Sequence, residues 1–294
     1  MKQVLILSGK GGTGKTTVAG AFIALADARA WADCDVDAPN LHLVAPLEAP
    51  HALRSLAGLP KAVIDGALCT GCDVCHLECR FGAIDVVDGA YTVDPFACEG
   101  CGLCARLCPA GAIGERPWQT GIVVLAADDK RVFSTAVLTM GSGNSGKLVW
   151  AVKRQLAEHA LPRTPLAVID GSPGIGCPVM SSMSGVDLVL LVAEPSVAGL
   201  SDLKRLLDVA VGLGVEVAVC TNRADINATL AESIRDLCTL WGLPYLGDIP
   251  FDPAVPAALN AGRSIAADPG PAGVAIRSVF AAVLTQLGDV PSPN

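Results

Sequence analysis

Residues Ser8-Gly9-Lys10-Gly11-Gly12-Thr13-Gly14-Lys15-Thr16-Thr17 constrain this chain more than any other stretch. They follow the apolar run Val4-Leu5-Ile6-Leu7 and open a helix-like segment, Val18 to Ala28. Gly9 to Thr16 fits G-x-x-x-x-G-K-[ST], set between strand and helix as that motif requires. Glycines let backbone N–H groups close around phosphate oxygens, and a helix N-terminus adds positive potential. The pattern predicts Gly11, Gly12, Thr13, Gly14, Lys15, Thr16 and Thr17 as a nucleotide cradle, with Lys15 reaching the β/γ-phosphates and Thr16 holding Mg²⁺.

A chain with that opening folds as α/β, and the remaining pattern agrees. Leu166–Asp170 and Val186–Val192 are continuous apolar runs, as expected of buried parallel strands. Trp31–Cys34, Gly121–Ala127, Val132–Met140, Val215–Thr221 and Tyr245–Ile249 also read as strands, the second and third as a hairpin around Asp128-Asp129. Helical spacing marks Gly146–Leu161, Leu200–Ala210, Ala228–Trp241, Ala254–Ala261 and Gly273–Leu287. Strands alternating with helices predict a doubly wound, mostly parallel sheet. Residues 44–62, with Pro46, Pro50 and Pro60, read as a connector. Leu166–Asp170 is an apolar strand ending in an acid, so Asp170 joins Thr16 as a Mg²⁺ residue.

A second signal interrupts this pattern. Cys69-x₂-Cys72-x₂-Cys75-x₃-Cys79 recurs as Cys98-x₂-Cys101-x₂-Cys104-x₃-Cys108, and Gly82-Ala83-Ile84 recurs as Gly111-Ala112-Ile113. Three thiolates on one tight loop, with a fourth reaching a neighbouring site, suit an Fe–S cube. Zinc is the competing metal, though its sites usually pair two separated C-x₂-C turns. The duplication divides the chain into 1–62 plus 119–294, the phosphate-binding domain, and an insertion at 63–118. Four histidines, at 42, 51, 76 and 159, make a His-rich metal site a poor fit.

The net charge of −8 argues against a broad nucleic-acid face. No apolar run nears the ~18 residues a spanning helix needs, so no stable membrane insertion is expected. With the phosphate motif starting at residue 9 and twelve cysteines best read as metal ligands, a cytoplasmic protein is expected.

With Lys10 included, K-G-G-T-G-K-T-T resembles the MinD/ParA/Mrp class of deviant Walker ATPases. That resemblance implies ATP/ADP as ligand and an ATP-dependent dimer, homo- or heterodimeric, in which Lys10 reaches the partner's nucleotide. It implies catalytic roles for Lys10, Lys15 and Asp35, the acid in Asp33-Cys34-Asp35-Val36-Asp37. Gly171-Ser172-Pro173-Gly174 resembles the second switch of the class. Asn222-Arg223-Ala224-Asp225 resembles its adenine contact, and Pro250 and Asp252 its C-terminal base-binding stretch. Gly141–Leu148 looks like a second phosphate loop, but Leu148 replaces the hydroxyl, which leaves a strand-to-helix turn at a dimer or partner face.

The cysteine runs resemble two-cluster bacterial ferredoxins. That resemblance implies two 4Fe–4S clusters, one on Cys69, Cys72, Cys75 and Cys108, the other on Cys98, Cys101, Cys104 and Cys79. Cys108 has the expected Pro109, whereas Arg80 follows Cys79. Cys177 lies where the related nitrogenase iron protein ligates a bridging cluster, yet residues 119–169 hold no second cysteine. Cys177 is therefore expected to be a buried or switch-coupled thiol, and Cys34, Cys220 and Cys238 core residues.

Together these features imply an ATPase, weak and partner-stimulated, that couples nucleotide-dependent dimerisation to electron transfer. A redox or metalloenzyme-maturation protein would be its partner. Two other classes stay open: an Fe–S carrier of the Mrp type, and a spatial organiser of cell division. The organiser wants a basic amphipathic C-terminal helix; Ala272–Leu287 carries Arg277 alone, and Pro291-Ser292-Pro293 reads as a loose end.

Overall fold

A computed structural model describes residues 1–288; the tail Pro291-Ser292-Pro293 lies outside the described residues. In chain order the elements are β1 (Lys2–Leu7), α1 (Lys15–Leu25), β2 (Ala30–Asp33), β3 (His51–Ala57), β4 (Lys61–Ile64), α2 (Val74–Leu77), β5 (Ile84–Val87), β6 (Ala90–Val93), α3 (Leu103–Leu107), β7 (Ile113–Arg116), β8 (Gln119–Ala127), β9 (Val132–Leu138), α4 (Ser145–His159), β10 (Leu166–Asp170), α5 (Cys177–Met183), β11 (Leu188–Ala193), α6 (Val197–Leu213), β12 (Val217–Asn222), α7 (Ala228–Trp241), β13 (Tyr245–Ile249), α8 (Ala254–Asn260) and α9 (Pro271–Leu287).

Nine strands form one sheet in the order β13-β12-β11-β1-β10-β2-β9-β8-β3. The pairs of β1 with β10 and β11, of β2 with β10 and β9, and of β12 with β11 and β13 are all parallel. The predicted mostly parallel α/β sheet is present. β1, β10 and β11 are central, and their apolar residues are almost wholly buried. Val4, Ile6, Val168 and Leu190 pack under Phe22 of α1 and Phe280 of α9, whose rings lie 5.0 Å apart. Burial of each such side chain contributes about 1.5–3 kcal/mol, and this apolar mass fixes where the strand ends point.

By compactness the chain divides into two units. The first comprises Met1–Leu53, Val123–Val137 and Gly146–Asn294; the second comprises Arg54–Ile122 and Leu138–Ser145. Within the second, β4 pairs with β7 and β5 with β6, both antiparallel.

Two segments differ from expectation. The connector at 44–62 contains β3, an edge strand with nearly every residue exposed, so it shows no burial alternation to read. Gly176-Cys177-Pro178 starts a helix, with Pro in the first turn where a missing N–H is tolerated. Cys177 at its start is exposed, which removes the buried alternative of that expectation and leaves the switch-coupled one. Cys34, Cys220 and Cys238 are buried, as expected.

Candidate functional sites

In the first unit the phosphate loop leaves β1 between β10 and β11, the point in a parallel sheet where ligand crevices form. Gly12 and Gly14 hold positive φ of 80° and 99°. A Cβ on Gly14 would stand 2.3 Å from the Asn222 amide nitrogen, so only glycine fits there. Asn222 donates from that nitrogen to the Thr13 carbonyl at 2.7 Å, which ties the end of β12 to the loop.

Gly11, Gly12, Gly14, Lys15, Thr16, Thr17, Asp35, Asn40 and Arg223 share the wall of one cavity of about 500 Å³. Leu43, Val44, Leu259 and Asn260 complete the apolar and amide side of it. Thr16 donates its hydroxyl to Asp170 Oδ2 at 2.6 Å. Asp170 is fully buried and its Oδ1 has no partner. Burial, then the neighbouring Asp33 charge, push the Asp170 carboxyl up to about 8. A buried carboxylate with an orphan oxygen beside a loop hydroxyl is what a divalent cation would satisfy, so these residues fit Mg²⁺.

Asp33 organises the loop after β2, a role its sequence position at a strand end did not disclose. Its carboxylate accepts from the backbone N–H groups of Asp35, Asn40 and Leu41 at 2.9, 2.8 and 2.9 Å. That arrangement turns the half-buried Asp35 onto the cavity wall. Burial raises the Asp35 carboxyl to about 6, against the opposing pull of Lys15. Ser172, after β10, donates to the Cys34 carbonyl at 2.7 Å, joining the two loops expected to act as switches.

Other expected residues stand elsewhere. Lys10 pairs with Glu194 at 2.7 Å. Pro250 and Asp252 are not on the wall of the cavity. Asp252 is buried and accepts from the Ala254 and Ala272 N–H groups, so it ties the start of α8 to the start of α9. Asp225 accepts from the Phe251 N–H at 2.7 Å, which anchors that stretch to the loop carrying Asn222 and Arg223.

In the second unit the eight repeated cysteines sort into two recesses. Cys79, Cys98, Cys101 and Cys104 line one of about 270 Å³. Cys69, Cys72 and Cys108 line a narrower one, and Cys75 borders both. The duplication extends to the hydrogen bonds: Ala83 N–H donates to Cys79 Sγ at 3.4 Å, and Ala112 N–H to Cys108 Sγ at 3.3 Å. Burial raises the thiols of Cys75 and Cys104. Gly71, Gly100, Gly102 and Asp73 take positive φ, which bends each cysteine loop around its recess. Among the described residues no group of three His, Cys, Asp or Glu converges as a site for a single metal ion.

Comparison with known proteins bears on the first unit. The family description CobQ/CobB/MinD/ParA nucleotide binding domain matches residues 4–265. The protein MJ0578 of Methanocaldococcus jannaschii is 31% identical over 228 residues, 76% of this chain and 79% of that one. The cytosolic Fe-S cluster assembly factor NBP35 of Eremothecium gossypii is 28% identical over 158 residues, 47% of each chain. The septum site-determining protein MinD of Pyrococcus horikoshii, solved with Mg-ADP, superposes with a TM-score of 0.58 at 18% identity over 99% of both chains. With a phosphate loop, a Thr16–Asp170 pair and a family match over most of its length, the chain belongs to the CobQ/CobB/MinD/ParA nucleotide-binding family.

Proposed function

We propose that this chain is an ATP-hydrolysing switch whose nucleotide-dependent dimerisation is coupled to electron transfer through two 4Fe–4S clusters, for delivery to a metalloenzyme or its maturation. The observation that carries the reading is the sorting of the repeated cysteines into two recesses in a chain that also holds a phosphate-loop site. Two recesses with thiols on their walls suit a cube better than a single ion, because a cube spreads its ligands around several irons. Cys69, Cys72, Cys75 and Cys108 would hold one cluster, and Cys98, Cys101, Cys104 and Cys79 the other. When bound, each cluster supplies storage for one electron.

At the nucleotide, Lys15 would neutralise charge on the phosphates and Thr16 with Asp170 would hold Mg²⁺. Asp35, raised toward neutrality by burial, is suited to orient or deprotonate an attacking water. The backbone amides of Gly11, Gly12 and Gly14, with Lys15 and the cation, would meet the phosphate charge without reorganising, and such preorganised electrostatics are usually the largest contribution to catalysis. Lys10 would leave Glu194 to act across a dimer. On this reading, 63–118 is a ferredoxin-like insertion in a MinD-like ATPase made of 1–62 and 119–294.

The likeness to the Fe-S cluster assembly factor NBP35 favours a second reading, cluster carriage, over the stretch that the two chains share. Anaerobic iron and sulfide analysis, run beside Mg-ATP turnover, tests both parts of the first reading. It expects about eight of each atom per chain, about four after Cys101→Ala, and phosphate release that Lys15→Ala cuts by about 10²–10³-fold. Zinc in place of iron, or turnover untouched by Lys15→Ala, would overturn it. Rapid transfer of iron and sulfide to an apo-acceptor would move carriage ahead.

A further inference from the structure

Besides the residue after the last cysteine, Arg80 against Pro109, the two cysteine repeats differ in the strands that precede them. An offset of 29 residues maps Cys69 onto Cys98, and it also maps β4 (Lys61–Ile64) onto β6 (Ala90–Val93). The strand ladders repeat as well, since Ile64 opposes Ile113 as Val93 opposes Ile84. On this mapping Lys61 corresponds to Ala90, and Ala62 to Tyr91.

Lys61 is 5% exposed. Its ammonium donates to the carbonyl of Cys98, the first cysteine of the second run, and among the described residues it makes no ion pair. Burying an ammonium against a carbonyl alone is costly unless an anion stands nearby. Its chain neighbours Pro60 and Ala62 line the recess that holds Cys79, Cys98, Cys101 and Cys104. Four thiolates around that recess would supply the missing negative charge. The other charged side chains on its wall, Glu78, Arg80, Glu99 and Glu115, are all exposed, so water and salt screen them far more than Lys61.

The other recess has the opposite character. Ala90 offers no charge there, and the hydroxyl of Tyr91 donates to the Asp73 carboxylate at 3.1 Å. Asp73 and Tyr91 both stand on the wall that carries Cys69, Cys72 and Cys108. A buried cation near one cluster favours the added electron, whereas a carboxylate near the other opposes it.

We propose that Lys61 is a positioning residue that makes the Cys79/Cys98/Cys101/Cys104 site the easier of the two to reduce. Electrons entering at the Cys69/Cys72/Cys75/Cys108 site then run downhill to it. The inference rests on the two-cluster reading given above.

The test is potentiometric titration, followed by EPR, of the anaerobic full-length protein beside Lys61→Met and Lys61→Arg. Two midpoints are expected in the unaltered protein. Lys61→Met lowers the higher one, so that at a fixed potential its reduced-to-oxidised ratio falls about tenfold, equivalent to about 59 mV for one electron. Lys61→Arg holds that ratio within about threefold, and neither variant moves the lower midpoint. Both sites loaded in Lys61→Met with the higher midpoint unmoved would overturn the proposal. Where Lys61→Met fails to load the second site, single-site proteins decide: Cys72→Ala keeps the Lys61 site and must reduce at higher potential than Cys101→Ala. The reverse order overturns the role of Lys61 and leaves the two-cluster reading intact. Unaltered protein that binds no iron removes both.

Discussion

The nucleotide unit and the cysteine unit both mount their chemistry on loops bent by glycine, yet they are held together by different forces. Around β1, β10 and β11 the apolar core is large, and the site is prebuilt: Asp33 pins its loop, Asn222 braces Thr13, and Thr16 meets Asp170. The core of the cysteine unit is Ala62, Cys75, Ala83, Ile84, Cys98 and Ile113. Two of those six are cysteines on the recess walls. So small a core rarely suffices by itself, and metal ligation then becomes folding energy. On the proposed two-cluster reading, one unit is a scaffold that receives a ligand and the other a shell completed by one.

The sharpest way to break that comparison is to strip the metal. Iron chelation should remove amide-exchange protection from β4 and β7 altogether while leaving β1, β10 and β11 protected. Equal loss in both units, measured by exchange mass spectrometry, would contradict it. Next in size, Lys15→Ala should cut ATP turnover by about 10²–10³-fold with iron content unchanged. Loss of iron alongside turnover would show that the two units are not separately stabilised.

Asp170→Asn should weaken Mg²⁺-dependent nucleotide binding by about 10–100-fold, read by titration calorimetry with and without Mg²⁺. An unchanged metal dependence would remove Asp170 from the cation site. The smallest effect concerns pH. Asp35 is raised from 3.8 to about 6 by burial, so the folded ligand-free protein keeps a proton that the unfolded chain releases. Stability therefore falls as pH rises from about 4 to 6, and Asp35→Asn flattens that stretch. Because Asp35 is half-exposed, the gain at pH 7.5 should be of the order of 1 kcal/mol by chemical denaturation. A slope unchanged in the variant would sink the assignment.

Much of this architecture was legible because its determinants are local. Continuous apolar runs marked the central strands, and G-x-x-x-x-G-K-T named the loop that follows β1. Asp170 was legible as an acid ending such a run. Asp33 was not, since its bonds to Asn40 and Leu41 close a loop whose path depends on the packing of Leu41. Asp252 carries a motif-like setting, yet its carboxylate spans two helix starts far apart in sequence. β3 escaped notice because an exposed edge has no buried face to impose alternation. Lys61 reads as an ordinary surface lysine until β4 folds against the Cys98 loop.

The most direct test of the central claim is ATP turnover by anaerobically purified protein, first with clusters oxidised and then dithionite-reduced, with Cys101→Ala as control. Coupling between the units predicts a rate that changes several-fold with redox state and stops doing so in the variant. A rate indifferent to redox state in the unaltered protein would contradict the coupling and leave the clusters as cargo or structure.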